Sequence, residues 1–337
     1  MPLRRVVYYG IILAMVKLKF PWLLPALFLA GLAQAAAAAG KGFAYSLTGD
    51  PADAKASPQG GAVLEGGADD PGEAIRWLLR RADGGDIVVL RADEDEGAQE
   101  MLATLGKADS VETFSFNSMA PAYDPFILGK IDQADGIYFA GGDQAEYVKF
   151  WKHTPVQDAV NRAIKRGVPV GGISAGLAIL GQFQFEALHD TVTSDEALKN
   201  PYALEVTLGK DFLEIPQLKG IIADSHFSQR GRLGRLLAFM ARLVQDGWTG
   251  EAKGIGVDEE TAVLVDGSGA AVVTGKNNAV FARLSRKPRV CRPGAPLTAG
   301  AFEVVTAAPG QRFNVKTWEG EGRSELVDVK KGVLTAR

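Results

Sequence analysis

The sequence predicts an α/β fold: a doubly wound, mostly parallel sheet flanked by helices, with a β-rich C-terminal extension. Three observations carry that reading. From Gly61 onward, short apolar strands alternate with helices of about ten residues, the pattern of a parallel sheet covered on both faces. After Thr261 the chain changes to β-branched runs separated by turns, which reads as added antiparallel structure. The 40 glycines and 16 prolines are spread over 337 residues without a fixed period, as many strand-to-helix turns require and as collagen or a low-complexity linker does not. With 47% hydrophobic and 23% charged positions the composition is that of a globular chain, and disorder is excluded.

In chain order, residues 1–35 read as a signal peptide. They carry Arg4, Arg5, Lys17 and Lys19 but no acid, then an apolar run over 20–32, then Ala33-Gln34-Ala35, a small-x-small cleavage site. Pro21 and Pro25 favour a cleaved leader over an anchoring helix. The mature protein is therefore expected to be periplasmic or extracellular, with no stable membrane insertion. Residues 36–60 lack periodicity and are expected to be a mobile lead-in, and an α/β domain is expected over 61–265. Its strands are predicted at 62–64, 87–90, 111–114, 136–140, 168–170 and 261–265, and helices at 71–81, 98–105 and from Pro155 to Gly167. Asp70 with Pro71 behind it is a helix start, and Thr154 with Pro155 repeats the device. Residues 266–337 continue the same domain with strands at 270–273, 279–284, 302–306 and 313–315.

Charge and cysteine content narrow the chemistry. A net charge of −3, made more negative by loss of the leader, gives no electrostatic reason to bind nucleic acid. One cysteine, Cys291, can form neither an internal disulfide nor a CxxC site. No His/Cys cluster asks for a metal, and no motif asks for a cofactor.

The sharpest local feature is Gly172-Ile173-Ser174-Ala175-Gly176, directly after an apolar strand and before the apolar stretch 177–180. A serine nucleophile on a tight strand-to-helix turn needs small residues two positions either side, so that its hydroxyl protrudes while the backbone turns. It also lands at a helix N-terminus, which favours an oxyanion. A serine needs a base, and the chain has three histidines. His153 and His189 stand in polar connections, whereas His226 lies in 221–230, where an apolar strand ends in a run of polar groups, the kind of strand end where sites form. Arg230, Arg232 and Arg235 come next, on a stretch of helical apolar spacing, and could hold a substrate carboxylate. Gly141-Gly142, ahead of Asp143 and Gln144, lets backbone amides approach a ligand, so Gly142 is a second oxyanion donor beside Ala175. Between two apolar strands lie Asp258 and Glu259, and Glu259 is the first choice to orient the histidine, with Asp258 in reserve. Each feature has a plainer account: a close-packed glycine turn, a solvated basic face, acids in an exposed turn.

Together these motifs resemble cyanophycinase and its relatives, the serine peptidases that include dipeptidase E. The resemblance rests on Phe139-Ala140-Gly141-Gly142-Asp143-Gln144, on the serine elbow, on the run from Asp224 through Arg235, and on Gly254-Ile255-Gly256-Val257-Asp258-Glu259, in the family's order. It covers the chain from about Gly61 to Val265. It implies a fold like that of class I glutamine amidotransferases, with serine at the elbow. It also implies a Ser174, His226, Glu259 triad with an oxyanion hole at Gly142 and Ala175. By the same carry-over, Gln144, Asp224, Ser225, Arg230, Arg232 and Arg235 line a pocket for Asp-containing peptides, cyanophycin or dipeptides, and the protein is a homodimer. One position departs: Ser225 stands where stricter cyanophycin-degrading members have glutamine, so the chemistry transfers further than the substrate does. A carboxylesterase and a non-catalytic binding protein on this scaffold are the other classes. The first would prefer activated esters, and the second would not react with a fluorophosphonate.

Overall fold

The structure is a computed structural model that describes residues 42–68, 72–92, 102, 104 and 106–336. The leader expected over 1–35, the Asp70-Pro71 helix start and most of the helix expected at 98–105 lie outside these residues.

The first half of the chain builds the α/β alternation. In order come β1 (Phe43–Gly49), β2 (Gly61–Glu65), α1 (Glu73–Arg81), β3 (Asp86–Arg91), β4 (Ser110–Phe116), α2 (Pro125–Gln133), β5 (Gly136–Phe139), α3 (Gln144–Trp151), α4 (Pro155–Lys165), β6 (Val170–Ile173) and α5 (Ala175–Ala178). Strands β4, β3, β5, β6 and β2 lie side by side in that order, and all four pairings are parallel. Each is almost wholly buried, which is why the sequence shows continuous apolar runs in place of alternation. On one face, Ile75, Leu78 and Leu79 of α1 pack on Val63, Val89 and Tyr138. On the other, α2 to α4 share a core with Val88, Leu90 and Phe114. Each fully buried side chain of this size contributes roughly 1.5–3 kcal/mol.

The second half departs from one doubly wound sheet. It continues with β7 (Phe183–Phe185), α6 (Ser194–Lys199), β8 (Leu208–Lys210), β9 (Ile221–Asp224), α7 (Leu233–Gln245), β10 (Ala252–Val257), β11 (Thr261–Asp266), β12 (Ala270–Gly275), β13 (Ala279–Leu284), β14 (Ala299–Ala307), β15 (Arg312–Asn314), β16 (Glu319–Gly320), β17 (Arg323–Lys330) and β18 (Val333–Ala336). Among the described residues there are two sheets, a ten-stranded one ordered β1-β4-β3-β5-β6-β2-β11-β12-β15-β16 and an eight-stranded one ordered β18-β17-β14-β13-β10-β9-β7-β8. The late strands are antiparallel as expected, but they are shared out. β11, β12, β15 and β16 lengthen the first sheet, while β13, β14, β17 and β18 lengthen the second. The two sheets meet in one apolar core, where Phe281 of β13 stacks on Phe313 of β15 with ring centroids 4.0 Å apart. The amphipathic α7 covers the second sheet through Leu236, Leu237 and Met240.

Four expectations shift. The lead-in contains β1, paired antiparallel with β4 from Phe43↔Phe116 to Gly49↔Ser110. Helix α1 begins at Glu73 with Gly72 as its cap. Thr154 precedes α4, yet its hydroxyl donates to the Trp151 carbonyl at 2.6 Å instead of capping. The strand expected at 168–170 is β6 at Val170–Ile173, so Gly171 and Gly172 are strand residues. Gly171 lies beneath the Tyr138 ring, where a Cβ would come within 2.9 Å.

Candidate active site

Ser174 sits between β6 and α5 with φ 53° and ψ −111°, a conformation that side-chain-bearing residues adopt only under constraint. The constraint is local. A Cβ on Gly172 would stand 2.6 Å from the Gly176 carbonyl, and one on Gly176 would collide with the Phe139 carbonyl. The Ser174 N–H donates to the Glu65 carbonyl of β2 at 3.0 Å, which pins the turn to the neighbouring strand.

His226 comes from the other sheet, two residues beyond β9. It is buried, with φ 44°, and its N–H donates to the Gly66 carbonyl at 2.7 Å. The ring lies against Gly67, whose φ is +111°, and a Cβ there would overlap the imidazole. The His226 Nε2 is 2.7 Å from the Ser174 Oγ, and its Nδ1 is 2.7 Å from a carboxylate oxygen of Glu259. Burial draws the His226 pKa below its ordinary 6.5; the Glu259 hydrogen bond opposes this, and Arg230 and Arg232 reinforce it. The imidazole is thereby kept neutral and able to accept a proton.

Glu259 follows β10. Its N–H donates to the Gln229 side-chain oxygen at 3.0 Å, and its carbonyl accepts from the Asn277 amide at 2.9 Å. Asp258, the reserve acid, is buried, and its carboxylate accepts the backbone N–H groups of Ser228 and Asn278. The acid against His226 is Glu259.

A cleft of about 600 Å³ opens in front of Ser174. Gly142, Gln144, Ala175, Asp224, Ser225, Arg230, Arg232 and Arg235 all line it together with Ser174 and His226. The cations among them differ in their freedom. Arg235 is 2% exposed and chelates Asp224 through Nε at 2.8 Å and Nη2 at 2.6 Å, while Nη1 donates to Thr191 and Val192. Arg232 donates to the Ser225 carbonyl at 2.8 Å, and desolvation brings its pKa down to about 10. Arg230 is exposed. Arg235 and Asp224 thus brace the wall, and Arg230 stands at its open edge.

His153 and His189 are exposed and do not line the cleft. Sequence reasoning missed Gly66, Gly67, Gln229 and Asn277, as well as the loop 187–193, which supplies Leu188, Thr191 and Val192 to the cleft. A glycine pair after a strand was visible at 66–67, but nothing local tied it to a histidine far along the chain.

The family model described as peptidase family S51 matches residues 92–273, more than half of the chain. The chain belongs to peptidase family S51. The matched segment of this S51 chain takes in Gly142, Gln144, Ser174, the run from Asp224 to Arg235 and Glu259. The chain is 24% identical over 213 residues to the cyanophycinase of Trichormus variabilis, covering 62% of this chain and 66% of that protein. It is 28% identical over 147 residues to the cyanophycinase of Geminocystis herdmanii, covering 43% and 48%. The matches therefore span just under two thirds and just under half of the length of these relatives. Among solved structures, a peptidase from an acI-B1 Actinobacterium superposes with a TM-score of 0.52 and 16% identity over 76% of this chain and 97% of that one, a likeness of fold.

Proposed function

We propose that the protein is an exported serine-type peptidase that cleaves amide bonds of Asp-containing peptides through Ser174, His226 and Glu259. The observation that carries this reading is the continuous hydrogen-bond chain from the Ser174 hydroxyl through the imidazole to the Glu259 carboxylate. In the proposed reaction, Nε2 of His226 takes the Ser174 proton while Oγ attacks the substrate carbonyl. The oxyanion faces the amides of Gly142 and Ala175. The imidazolium, steadied by Glu259, protonates the leaving amine, and water activated by the same histidine frees the acyl group. Membership of a peptidase family supports the reaction class, and likeness to cyanophycinases supports β-Asp-Arg units of cyanophycin as one substrate. Ser225 favours a broader set of Asp-containing dipeptides. The five parallel strands with Ser174 at the end of a central one support a class I glutamine amidotransferase-like core. The composition of residues 1–35 supports export, and homodimerisation rests on the resemblance alone.

The test is incubation of the mature protein with insoluble cyanophycin and, separately, with a panel of Asp-containing dipeptides, beside Ser174→Ala. Release of β-Asp-Arg by the wild type only supports both chemistry and substrate. Turnover of dipeptides with silence on the polymer keeps the chemistry and moves the specificity to Ser225. Undiminished activity of Ser174→Ala overturns the reading.

A further inference from the structure

Asp258 has a position that the reaction itself leaves unused. Its side chain is among the most deeply buried carboxylates of the described residues, 2% exposed, and it adjoins the acid that meets the histidine. One carboxylate oxygen accepts the Ser228 N–H at 2.8 Å and the other the Asn278 N–H at 3.2 Å. Its own N–H donates to the Asn278 carbonyl at 3.1 Å. Its carbonyl presses on Gly66, where a Cβ could not be accommodated, and Gly66 in turn accepts the His226 N–H. Three segments thus converge on the turn that carries Asp258 and Glu259: the loop that carries His226, the β12–β13 loop whose Asn277 holds the Glu259 carbonyl, and the end of β2 against which the imidazole lies.

We propose that Asp258 is a positioning residue that sets the separation of His226 from Glu259 by clamping the amides of Ser228 and Asn278. This rests on the reading of Ser174, His226 and Glu259 as the reacting groups. A buried carboxylate that accepts two backbone N–H groups makes charge-assisted bonds, short and directional. The two amides belong to different loops and share this one carboxylate, so its loss unties the loop bearing His226 from the β12–β13 loop that holds the Glu259 carbonyl.

The experiment follows the labelling rate of Ser174 by a fluorophosphonate, which needs no knowledge of the substrate. Asp258→Asn keeps the shape but turns one accepting oxygen into a donor facing a backbone N–H. Labelling is expected to slow by about 10²-fold, the cost of an ångström-scale misplacement. The acid limb of the rate is expected to move to lower pH, because the imidazole, faced by Glu259, Arg230 and Arg232, loses its one stabilising carboxylate. A merely structural defect would reduce the fraction of protein labelled and leave that limb in place. In a Glu259→Gln background, Asp258→Asn is expected to add less than about threefold, since both changes act through the same contact. Wild-type labelling by Asp258→Asn, or full additivity with Glu259→Gln, overturns the proposal. Ser174→Ala separates the two readings: if it is still labelled, the nucleophile assignment fails and the proposal with it, whereas a silent Ser174→Ala beside an unimpaired Asp258→Asn refutes the clamp alone. If Asp258→Asn does not fold, hydrogen exchange on the wild type decides. The Ser228 amide is expected to be protected although its residue is exposed, and exchange as fast as at the equally exposed Gln229 refutes the clamp.

Discussion

Ser174 and Arg235 line the same cleft and are held there in opposite ways. The serine is placed by backbone: a strained turn, glycines too close to one another for any side chain, and a hydrogen bond from its own N–H to the adjacent strand. His226 is placed similarly, by its N–H on Gly66 and its ring on Gly67. Across the cleft, Asp224, Arg232 and Arg235 are placed by charge, with side chain gripping side chain in a buried cluster. Backbone placement costs little when the reacting atom is removed, because the scaffold does not depend on it. Charge placement is mutual, and removing Arg235 leaves the buried Asp224 carboxylate with only the longer contact to Arg232 and the Ser225 N–H. If Ser174 and His226 react as proposed, their side of the cleft responds to substitution chiefly in rate, and the charged side chiefly in stability.

The largest expected effect is on rate. Ser174→Ala should lower peptide turnover by about 10⁴-fold or more with an unchanged melting temperature, as read by activity assay and calorimetry on the same preparation. A large loss of stability would show that the hydroxyl braces the turn and would erase the contrast. Next, Arg235→Ala should destabilise the fold by about 3 kcal/mol, the cost of taking its two-pronged partner from the buried Asp224 carboxylate, seen in urea unfolding. A loss confined to KM would instead place Arg235 on the substrate. Gly67→Ala puts a methyl group against the imidazole at φ +111°, and should slow turnover by about 10²-fold, with a smaller cost in stability. The pH profile offers a finer test. Because burial lowers the His226 pKa, the acid limb of kcat/KM should lie below 6.5, and Glu259→Gln should move it lower still, since the contact that raises the pKa is gone. The smallest effect is at the open edge, where Arg230→Ala should leave stability within about 0.5 kcal/mol while raising KM for anionic peptides.

The parts of this molecule that could be read from sequence are those with local causes. Ser174 was legible because an elbow needs glycines at fixed offsets, and those offsets lie within five residues of chain. His226 was legible by elimination among three histidines and by its place after an apolar strand. Glu259 could be singled out but not separated from Asp258, since two adjacent acids differ only in what surrounds them. The arginines were visible as a cluster, but the exposure of Arg230 and the burial of Arg235 depend on Asp224 and Thr191, which come from different segments. β1 escaped because its residues show no strong alternation, and its edge is paired along one side only, with β4.

By itself, then, the sequence determined the alternation of strands and helices and the glycine-flanked serine turn, and it singled out a histidine and two adjacent acids as candidates to act with that serine. The alternation and the serine turn follow from interactions between residues a few positions apart, where periodicity and glycine freedom act. The tertiary structure alone decided that there are two sheets, that successive late strands join different ones, and that the site lies where they meet, with Ser174 at the end of a strand in the first and His226 and Glu259 beyond strands in the second. Strand partners are chosen by contacts between distant parts of the chain, and those contacts, unlike the turn at Ser174, leave no mark at either end of the sequence they join.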